Sequence, residues 1–189
     1  RAELLTRAGF AFTVAPADVD EAPRSGEAPH ALVARLARAK ASAVAVNRPS
    51  AVVVGADTLV VVDAKTLGKP VDAPDATAML HRLSGRTHEV LTGVAVYAGQ
   101  HQLCDVASSR VTMRSLSEVD IGWYVDSEEP MGKAGGYAIQ GLASRFVVGI
   151  EGSYTNVVGL PIELLDRLLR AGGAEGDAGV PESQSLAFR

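Results

Sequence analysis

The chain has 189 residues, which favours one domain, and its 47% hydrophobic and 21% charged residues are typical of a soluble α/β protein. No apolar run approaches the roughly 18 residues of a membrane span, and no signal peptide is visible. The formal net charge of −4 argues against a broad basic surface for nucleic acid. A single cysteine, Cys104, cannot form an internal disulfide, so we predict a cytoplasmic protein in which this residue is buried and inert.

The first part of the chain is predicted to contain a short helix, a strand and an acidic loop. Residues 2 to 8 have the pattern of a helix that ends before a glycine, and residues 10 to 14 have the apolar, β-branched content of a strand. The segment from 18 to 29 contains Asp20 and Glu21 next to each other. On its composition alone, this segment is a solvated loop.

A long helix is predicted from Pro29 to about Val46, because proline is favoured at the first helical position. Its apolar residues recur at helical spacing and form one stripe, which consists of Leu32, Val33, Leu36, Ala43 and Val44. Lys40 lies four residues past Leu36, on the same stripe. A lysine there either extends its ammonium group to the edge of the helix or points into a site, and the pattern leaves both interpretations open.

The segment from Ala51 to Pro70 is the most informative stretch. Two apolar, β-branched runs, 52–54 and 59–62, are separated by a short segment whose one carboxylate is Asp57, and a turn at 63–65 leads the chain back. Burying a carboxylate in a strand is costly unless it is paired or binds a metal ion. Asp57 therefore either caps a strand end or turn, or is a functional acid at the mouth of a sheet.

The rest of the chain is predicted to alternate between helices and strands. We predict helices at 73–83, from Ser117 onward and at 153–172 with a break near 159–161, and strands at 88–97, 101–113 and 146–150. The glycine-rich stretch 127–141 contains Lys133 and Gln140 but has neither a P-loop nor a dinucleotide-binding glycine motif. Residues 173–189 have little to bury and are predicted to be a flexible tail.

Histidines and lysines give different signals. The histidines in the middle of the chain, His81, His88 and His101, lack metal-ligand spacing, and we expect them at the surface or with satisfied hydrogen bonds. Lysine is scarce, so each position is informative: Lys40, Lys65, Lys69 and Lys133. For Lys133, contact with a phosphate group and a structural role in the loop remain equally open.

Six stretches together resemble the Maf family of nucleoside triphosphate pyrophosphatases, which was first associated with inhibition of septum formation. They are A-R-L-A-R-A-K at 34–40, V-G-A-D-T at 54–58, L-G-K-P at 67–70, L-S-G-R-T-H-E-V-L-T at 83–92, K-A-G-G-Y-A-I-Q-G at 133–141 and G-S-Y-T-N-V-V-G-L-P at 152–161. No single stretch is decisive, but their order and spacing extend over nearly the whole chain. The resemblance ends at about Gly172.

The resemblance implies one domain over residues 1–172, with a fold like that of inosine triphosphatases. In this α/β fold, helices flank a twisted mixed sheet, and two lobes enclose a cleft. It also implies a cytoplasmic homodimer that uses a divalent cation, Mg²⁺ or Mn²⁺. The implied reaction converts a nucleoside triphosphate to its monophosphate and pyrophosphate, which clears unwanted nucleotides from the pool. The A-D-T and I-Q-G segments are similar to the branch that acts on dTTP and UTP.

The resemblance also implies functions for individual residues. Asp57 matches the proton acceptor and Glu21 a polar position of the cleft. By their chemistry, both carboxylates could supply the hard oxygen ligands that Mg²⁺ prefers. Other positions match polar residues of the cleft or residues linked to substrate choice: Arg1, Lys40, Thr58, Lys69 and Gln140. The family pattern begins with a strand and an S-x-S-P-R-R segment, and Arg1 matches the last arginine of that segment, so we expect the strand and the preceding motif residues to be missing from this sequence.

Two other functions remain open at this stage. One is hydrolysis of 7-methyl-GTP or another modified nucleotide by the same chemistry. The other is a nucleotide-binding regulator of septum formation that acts through a partner. Release of pyrophosphate would distinguish an enzyme from such a regulator.

Overall fold

The computed structural model describes residues 1–174 and 186–188 and has the predicted mixed α/β fold. The helices are α1 (Ala2–Arg7), α2 (Pro29–Ala45), α3 (Ala73–Leu83), α4 (Glu118–Asp126), α5 (Tyr154–Val158) and α6 (Ile162–Ala171). The strands are β1 (Phe12–Val14), β2 (Val52–Val62), β3 (Lys65–Leu67), β4 (Thr87–Ala98), β5 (His101–Met113), β6 (Val147–Glu151) and β7 (Leu186–Phe188). Short 3₁₀ turns lie at Ala134–Gly136 and Leu142–Arg145.

The described strands form one sheet in the order β1-β7-β2-β4-β5-β6, and β3 pairs separately with β2. Most predicted helices and strands are confirmed within a few residues, including the break between α5 and α6. The tail predicted for 173–189 contains at least one strand, β7, whereas residues 175–185 and 189 lie outside the described residues. Within the described part of the chain, no helix is both long and apolar enough to cross a membrane.

The central segment differs from the prediction of two runs separated by an acid. Strand β2 is continuous from Val52 to Val62, so Asp57 lies in the middle of a strand. The interpretation of Asp57 as a strand cap or turn residue is therefore wrong. The predicted turn is present after the strand: Asp63 and Ala64 both have positive φ angles, and β3 returns antiparallel to β2.

The chain divides into two compact units, and three of the four boundaries between them fall inside β2, β4 and β5. The described residues of the first unit are 1–57, 92–107, 159–174 and 186–188. In it, β7 pairs in parallel with both β1 and β2. Its core includes Ala37, Ala41 and Val53. Cys104 is only half-buried, but burial still raises the pKa of its thiol, in agreement with an inert cysteine.

Two glycines bring the backbone of helix α2 close to the strands of the first unit. A β-carbon on Gly55 in β2 would lie 2.3 Å from the carbonyl oxygen of Ala37, and one on Gly93 in β4 would lie 2.5 Å from the carbonyl oxygen of Val33. Contacts this short are impossible for a real side chain. Both strands therefore need glycine where the helix crosses them.

The second unit contains residues 58–91 and 108–158 and has an apolar core of its own. Tyr124 and Phe146 are fully buried there, with their rings in an edge-to-face contact. The predicted start of α4 is confirmed, because Ser117 and Asp120 form a capping box. Strand β6 pairs antiparallel with β5, with an irregularity between Thr112 and Met113.

His88 is buried in this core, and the expectation of a surface or fully bonded histidine is only partly met. Its Nε2 lies 2.7 Å from the hydroxyl oxygen of Tyr137. Its Nδ1 is buried without a hydrogen-bond partner among the residues that the structure describes. Burial lowers the pKa of His88 from 6.5 to about 4, because the imidazolium ion is poorly solvated there.

We expect His88 to make the protein less stable in weak acid. Because its pKa is lowered on folding, its contribution is present above pH 6.5 and is lost as the pH falls towards 4, by up to about 3 kcal/mol. Unfolding in urea at pH 6.5 and pH 5 should show this loss in the natural sequence and a smaller one in His88→Gln. The carboxylates with lowered pKa values, Glu27 and Asp120, lose their contributions mainly below about pH 4.5, outside this interval. Equal pH dependence of the two proteins would contradict the prediction.

Candidate active site

A buried lysine bridges two carboxylates in the first unit. Lys40 Nζ lies 2.6 Å from Asp57 Oδ1 and 2.7 Å from Glu21 Oε1. Lys40 is 5% exposed and Asp57 7% exposed, whereas about two fifths of the Glu21 side chain is exposed. We call Glu21, Lys40 and Asp57 the charged triad. The alternative in which Lys40 extends its ammonium group to solvent is therefore wrong.

The triad follows from the close contact between β2 and α2. Alternate residues of a strand point to the same face, so Asp57 shares a face with Gly55, the residue that lies against the helix backbone. On α2, Lys40 is three residues past Ala37 and next to Ala41, the two residues that the glycine approaches. The acid in the apolar strand and the lysine on the apolar stripe therefore face each other.

The physical chemistry of the triad explains why neither charge is found alone. A buried ammonium or carboxylate is strongly unfavourable unless it is paired and hydrogen-bonded. Here one cation is shared by two anions, which leaves the triad with a formal charge of −1. Substitution of Lys40 by an apolar residue would leave Asp57 buried without its cation, which typically costs several kcal/mol.

The loop that carries Glu21 is attached to α2 by a second ion pair, which was not predicted. Arg35 donates from Nε to Glu27 Oε1 at 2.7 Å and from Nη2 to Glu27 Oε2 at 2.9 Å. Its Nη2 also donates to the carbonyl oxygen of Ala22, the residue after Glu21, at 3.0 Å. The hydrogen bonds from Arg35 lower the pKa of Glu27 to about 2. This bidentate ion pair, together with the hydrogen bond to Ala22, holds the loop beside the triad.

Arg1 is also in the first unit, where it is partly buried. Its Nε donates to the carbonyl oxygen of Gly159 at 2.8 Å. Its own carbonyl oxygen accepts from the amide of Leu5 at the start of α1. Four of the predicted site residues are thus in this unit: Arg1, Glu21, Lys40 and Asp57.

The other predicted site residues, Thr58, Lys69 and Gln140, belong to the second unit. Thr58 directly follows Asp57 on β2 and is partly buried, whereas Lys69 and Gln140 are exposed. The amide of Gly135 donates to the carbonyl oxygen of Gly68 at 2.8 Å, which joins the L-G-K-P and K-A-G-G segments. Lys69 and Lys133 consequently lie on adjoining stretches of backbone.

The carboxylates of the triad are suited to a divalent ion that arrives with a ligand, but not to a preformed cage. Among the described residues, no three His, Cys, Asp or Glu side chains form a group that could bind a metal. Glu21 and Asp57 provide hard carboxylate oxygens, and one oxygen of each contacts Lys40. Mg²⁺ is usually bound by only one or two carboxylates, with water and substrate phosphates completing its shell. The two carboxylates therefore fit the predicted metal if water and substrate phosphates supply its other ligands.

Comparison with known proteins identifies the class of protein. The family described as Maf-like protein matches residues 1–172, and the chain belongs to this family. A dTTP/UTP pyrophosphatase of Myxococcus xanthus is 54% identical over 173 residues, which are 91% of this chain and 88% of that protein. Proteins with the same name from Koribacter versatilis and Geobacter sulfurreducens are 49% and 48% identical, over 92% and 91% of this chain and 90% and 92% of their own lengths. The family resemblance predicted from the motifs is confirmed.

Proposed function

We propose that this protein hydrolyses dTTP and UTP to the monophosphate and pyrophosphate. The relatives with about half of their residues identical carry the name of this activity. The observation that carries the proposal is the charged triad, because it places a buried carboxylate on the central strand with a cation beside it. Lysine and aspartate are rarely buried unless they are paired, so a buried cluster of this kind stands out as a candidate functional site.

In the proposed reaction, water attacks the α-phosphorus and the bond to the bridging oxygen of the β-phosphate breaks. Asp57 orients this water and accepts its proton. A free aspartate in water has a pKa of about 3.9, which makes it a weak base for bulk water. A divalent cation, when bound, lowers the pKa of its water and neutralises phosphate oxygens.

Cationic side chains complete the proposed binding site. Lys40 holds the carboxylate of Asp57 in place and offers an ammonium group to the triphosphate. Lys69 and Arg1 neutralise further phosphate oxygens, with the guanidinium group able to contact two at once. Glu21 and Asp57 are proposed to bind Mg²⁺ or Mn²⁺ together with the substrate phosphates.

We further propose that the protein works as a cytoplasmic homodimer that removes surplus or modified pyrimidine nucleotides. This part rests on family membership. Sedimentation of the purified protein tests the dimer.

A panel of nucleoside triphosphates, assayed for pyrophosphate with added Mg²⁺ or Mn²⁺ and again after chelation, tests the proposed reaction. We expect dTTP and UTP to be the best substrates and the chelator to abolish turnover. Faster hydrolysis of 7-methyl-GTP would overturn the proposed specificity. Nucleotide binding without any pyrophosphate release would favour the regulator of septum formation.

Gln140 is proposed to read the base. Uracil and thymine present a 4-oxo acceptor beside an N3–H donor, which a glutamine amide complements, whereas cytosine reverses this pattern. Unpaired polar groups in a binding site are costly, so we expect UTP to be preferred over CTP and Gln140→Ala to reduce that preference about tenfold or more. Measuring kcat/KM for both nucleotides tests this. Gln102→Ala, at an exposed position of β5, is a matched control. An unchanged ratio in Gln140→Ala would show that Gln140 does not read the base.

A further inference from the structure

The turn that carries Gln140 is held by two side chains outside the family motifs considered above. The amide of Gly141 donates to the carbonyl oxygen of Ala138 at 3.0 Å, which closes a turn with Ile139 and Gln140 at its centre. Ile139 is buried, whereas Gln140 is exposed. The turn therefore presents its glutamine to solvent and packs its isoleucine inside.

Glu129 binds the backbone on the far side of this turn. Its Oε2 accepts from the amide of Leu142 at 2.9 Å, and its Oε1 accepts from the amide of Ala143 at 3.3 Å. These amides begin the 3₁₀ turn Leu142–Arg145, where backbone N–H groups have no partner within the helix itself. A carboxylate is well suited to such a position, because charge-assisted hydrogen bonds are stronger than neutral ones.

Tyr124 binds the near side of the same turn. Its hydroxyl group accepts from the amide of Ala138 at 3.1 Å and donates to Glu129 Oε1 at 3.0 Å. The tyrosine is fully buried, and burial raises the pKa of its hydroxyl group, which therefore stays protonated as a donor to the carboxylate. Tyr124 and Glu129 thus form one connected clamp on both ends of the segment 138–143.

The carboxylate of Glu129 lies very close to Gly141. A β-carbon on Gly141 would lie 2.2 Å from Glu129 Oε2. The φ angle of Gly141 is −106°, outside the left-handed region that favours glycine. The atoms in the way are at the far end of the Glu129 side chain, so an alanine here would displace the carboxylate from the amides of Leu142 and Ala143.

We propose that Glu129 and Tyr124 are positioning residues that fix the turn 138–141 and so set the base preference of the enzyme. This inference rests on the proposed function, in which Gln140 reads the base. Neither side chain needs to touch the nucleotide. Their effect is exerted through the backbone of the turn, since a glutamine that must be ordered on binding discriminates less well than one already in place.

A double-mutant cycle between Glu129 and Gly141 tests the proposal. We expect Glu129→Ala and Gly141→Ala each to lower the ratio of kcat/KM for UTP to that for CTP by about tenfold, since hydrogen bonds to a charged group are lost. In the double variant the added methyl group has no carboxylate to meet, so its ratio should equal that of Glu129→Ala alone. Additive losses, or unchanged ratios in both single variants, would overturn the proposal.

Asp120→Asn is the matched control, because it alters another carboxylate of the second unit that caps a helix and pairs with Arg114. It should lower the melting temperature and leave the ratio unchanged. Amide hydrogen exchange at Leu142 and Ala143 provides a readout that needs no substrate. We expect slow exchange in the natural sequence and fast exchange in Glu129→Ala.

Failure of the inference and failure of the proposed function give different results. If the natural sequence releases no pyrophosphate from dTTP or UTP, the proposed function and the base preference built on it both fail. The amide exchange experiment then still tests whether Glu129 and Tyr124 hold the turn. If the enzyme prefers UTP and the Glu129 variants keep that preference, only the present inference fails. Unprotected amides in the natural sequence would refute the clamp directly.

Discussion

Asp57→Asn is expected to lower kcat on UTP by at least about 100-fold, the range for losing a positioned acid–base group. The asparagine cannot accept the proton of the attacking water, although its carbonyl oxygen can still accept a hydrogen bond from Lys40. Lys40 also keeps Glu21 as a partner, so the fold should survive. Pyrophosphate release and circular dichroism of the same preparation measure activity and folding together.

Asp63→Asn is the matched control for this substitution. Asp63 is on the turn that follows β2, where it is exposed, has a φ angle of 50° and pairs with Arg86. Asparagine tolerates this backbone conformation well, and exposed ion pairs contribute little to stability. We therefore expect nearly normal turnover in Asp63→Asn. Normal turnover in a well-folded Asp57→Asn protein would remove Asp57 from the mechanism.

Gly55→Ala is expected to destabilise the protein by about 3 kcal/mol or more, at the upper end of the usual cost of overpacking a core. The added β-carbon would meet backbone atoms of Ala37 and Ala41, which cannot rotate away as a side chain could. Relief requires helix α2 to move away from β2. Such a movement would also separate Lys40 from Asp57, so turnover should fall together with the free energy of unfolding.

Gly122→Ala is the same chemical change, but we expect it to have the opposite effect on stability. Gly122 lies within helix α4, and nothing is within 4 Å of its β-carbon position. Alanine in a helix is favoured over glycine by about 0.5–1 kcal/mol, so this variant should be slightly more stable. Urea unfolding of both variants measures the contrast. A Gly55→Ala protein as stable as the natural sequence would show that α2 can move away from β2 without a loss of stability.

The sequence was sufficient to locate the two buried charges but not to pair them. Asp57 interrupts an apolar run and Lys40 interrupts an apolar stripe, and each is costly in isolation, so both stand out. They are 17 residues apart, and their contact depends on how closely α2 packs on β2. That distance is set by tertiary packing at Gly55, which no periodicity reveals.

The polar residues that hold the Glu21 loop and the Gln140 turn were not predictable for a different reason. Glu27, Arg35 and Glu129 are polar residues at positions where polar residues are expected, so none conflicts with its local pattern. Their hydrogen bonds are made to distant backbone groups or to side chains in another element. The continuity of β2 was not predictable either. A carboxylate can be buried in the middle of this strand only because Lys40 of the helix pairs with it.

Because Lys40 lies between two carboxylates, the number of N–H bonds on its ammonium group determines whether it can bind a further partner. An ammonium group has three N–H bonds, and the hydrogen bonds and ion pairs of Lys40 within the described residues use two of them. In the proposed function, this third hydrogen binds a phosphate oxygen of the substrate. In this proposal the lysine adds the incoming anion to its existing partners instead of exchanging one for another, and neither carboxylate loses its counter-charge when substrate binds.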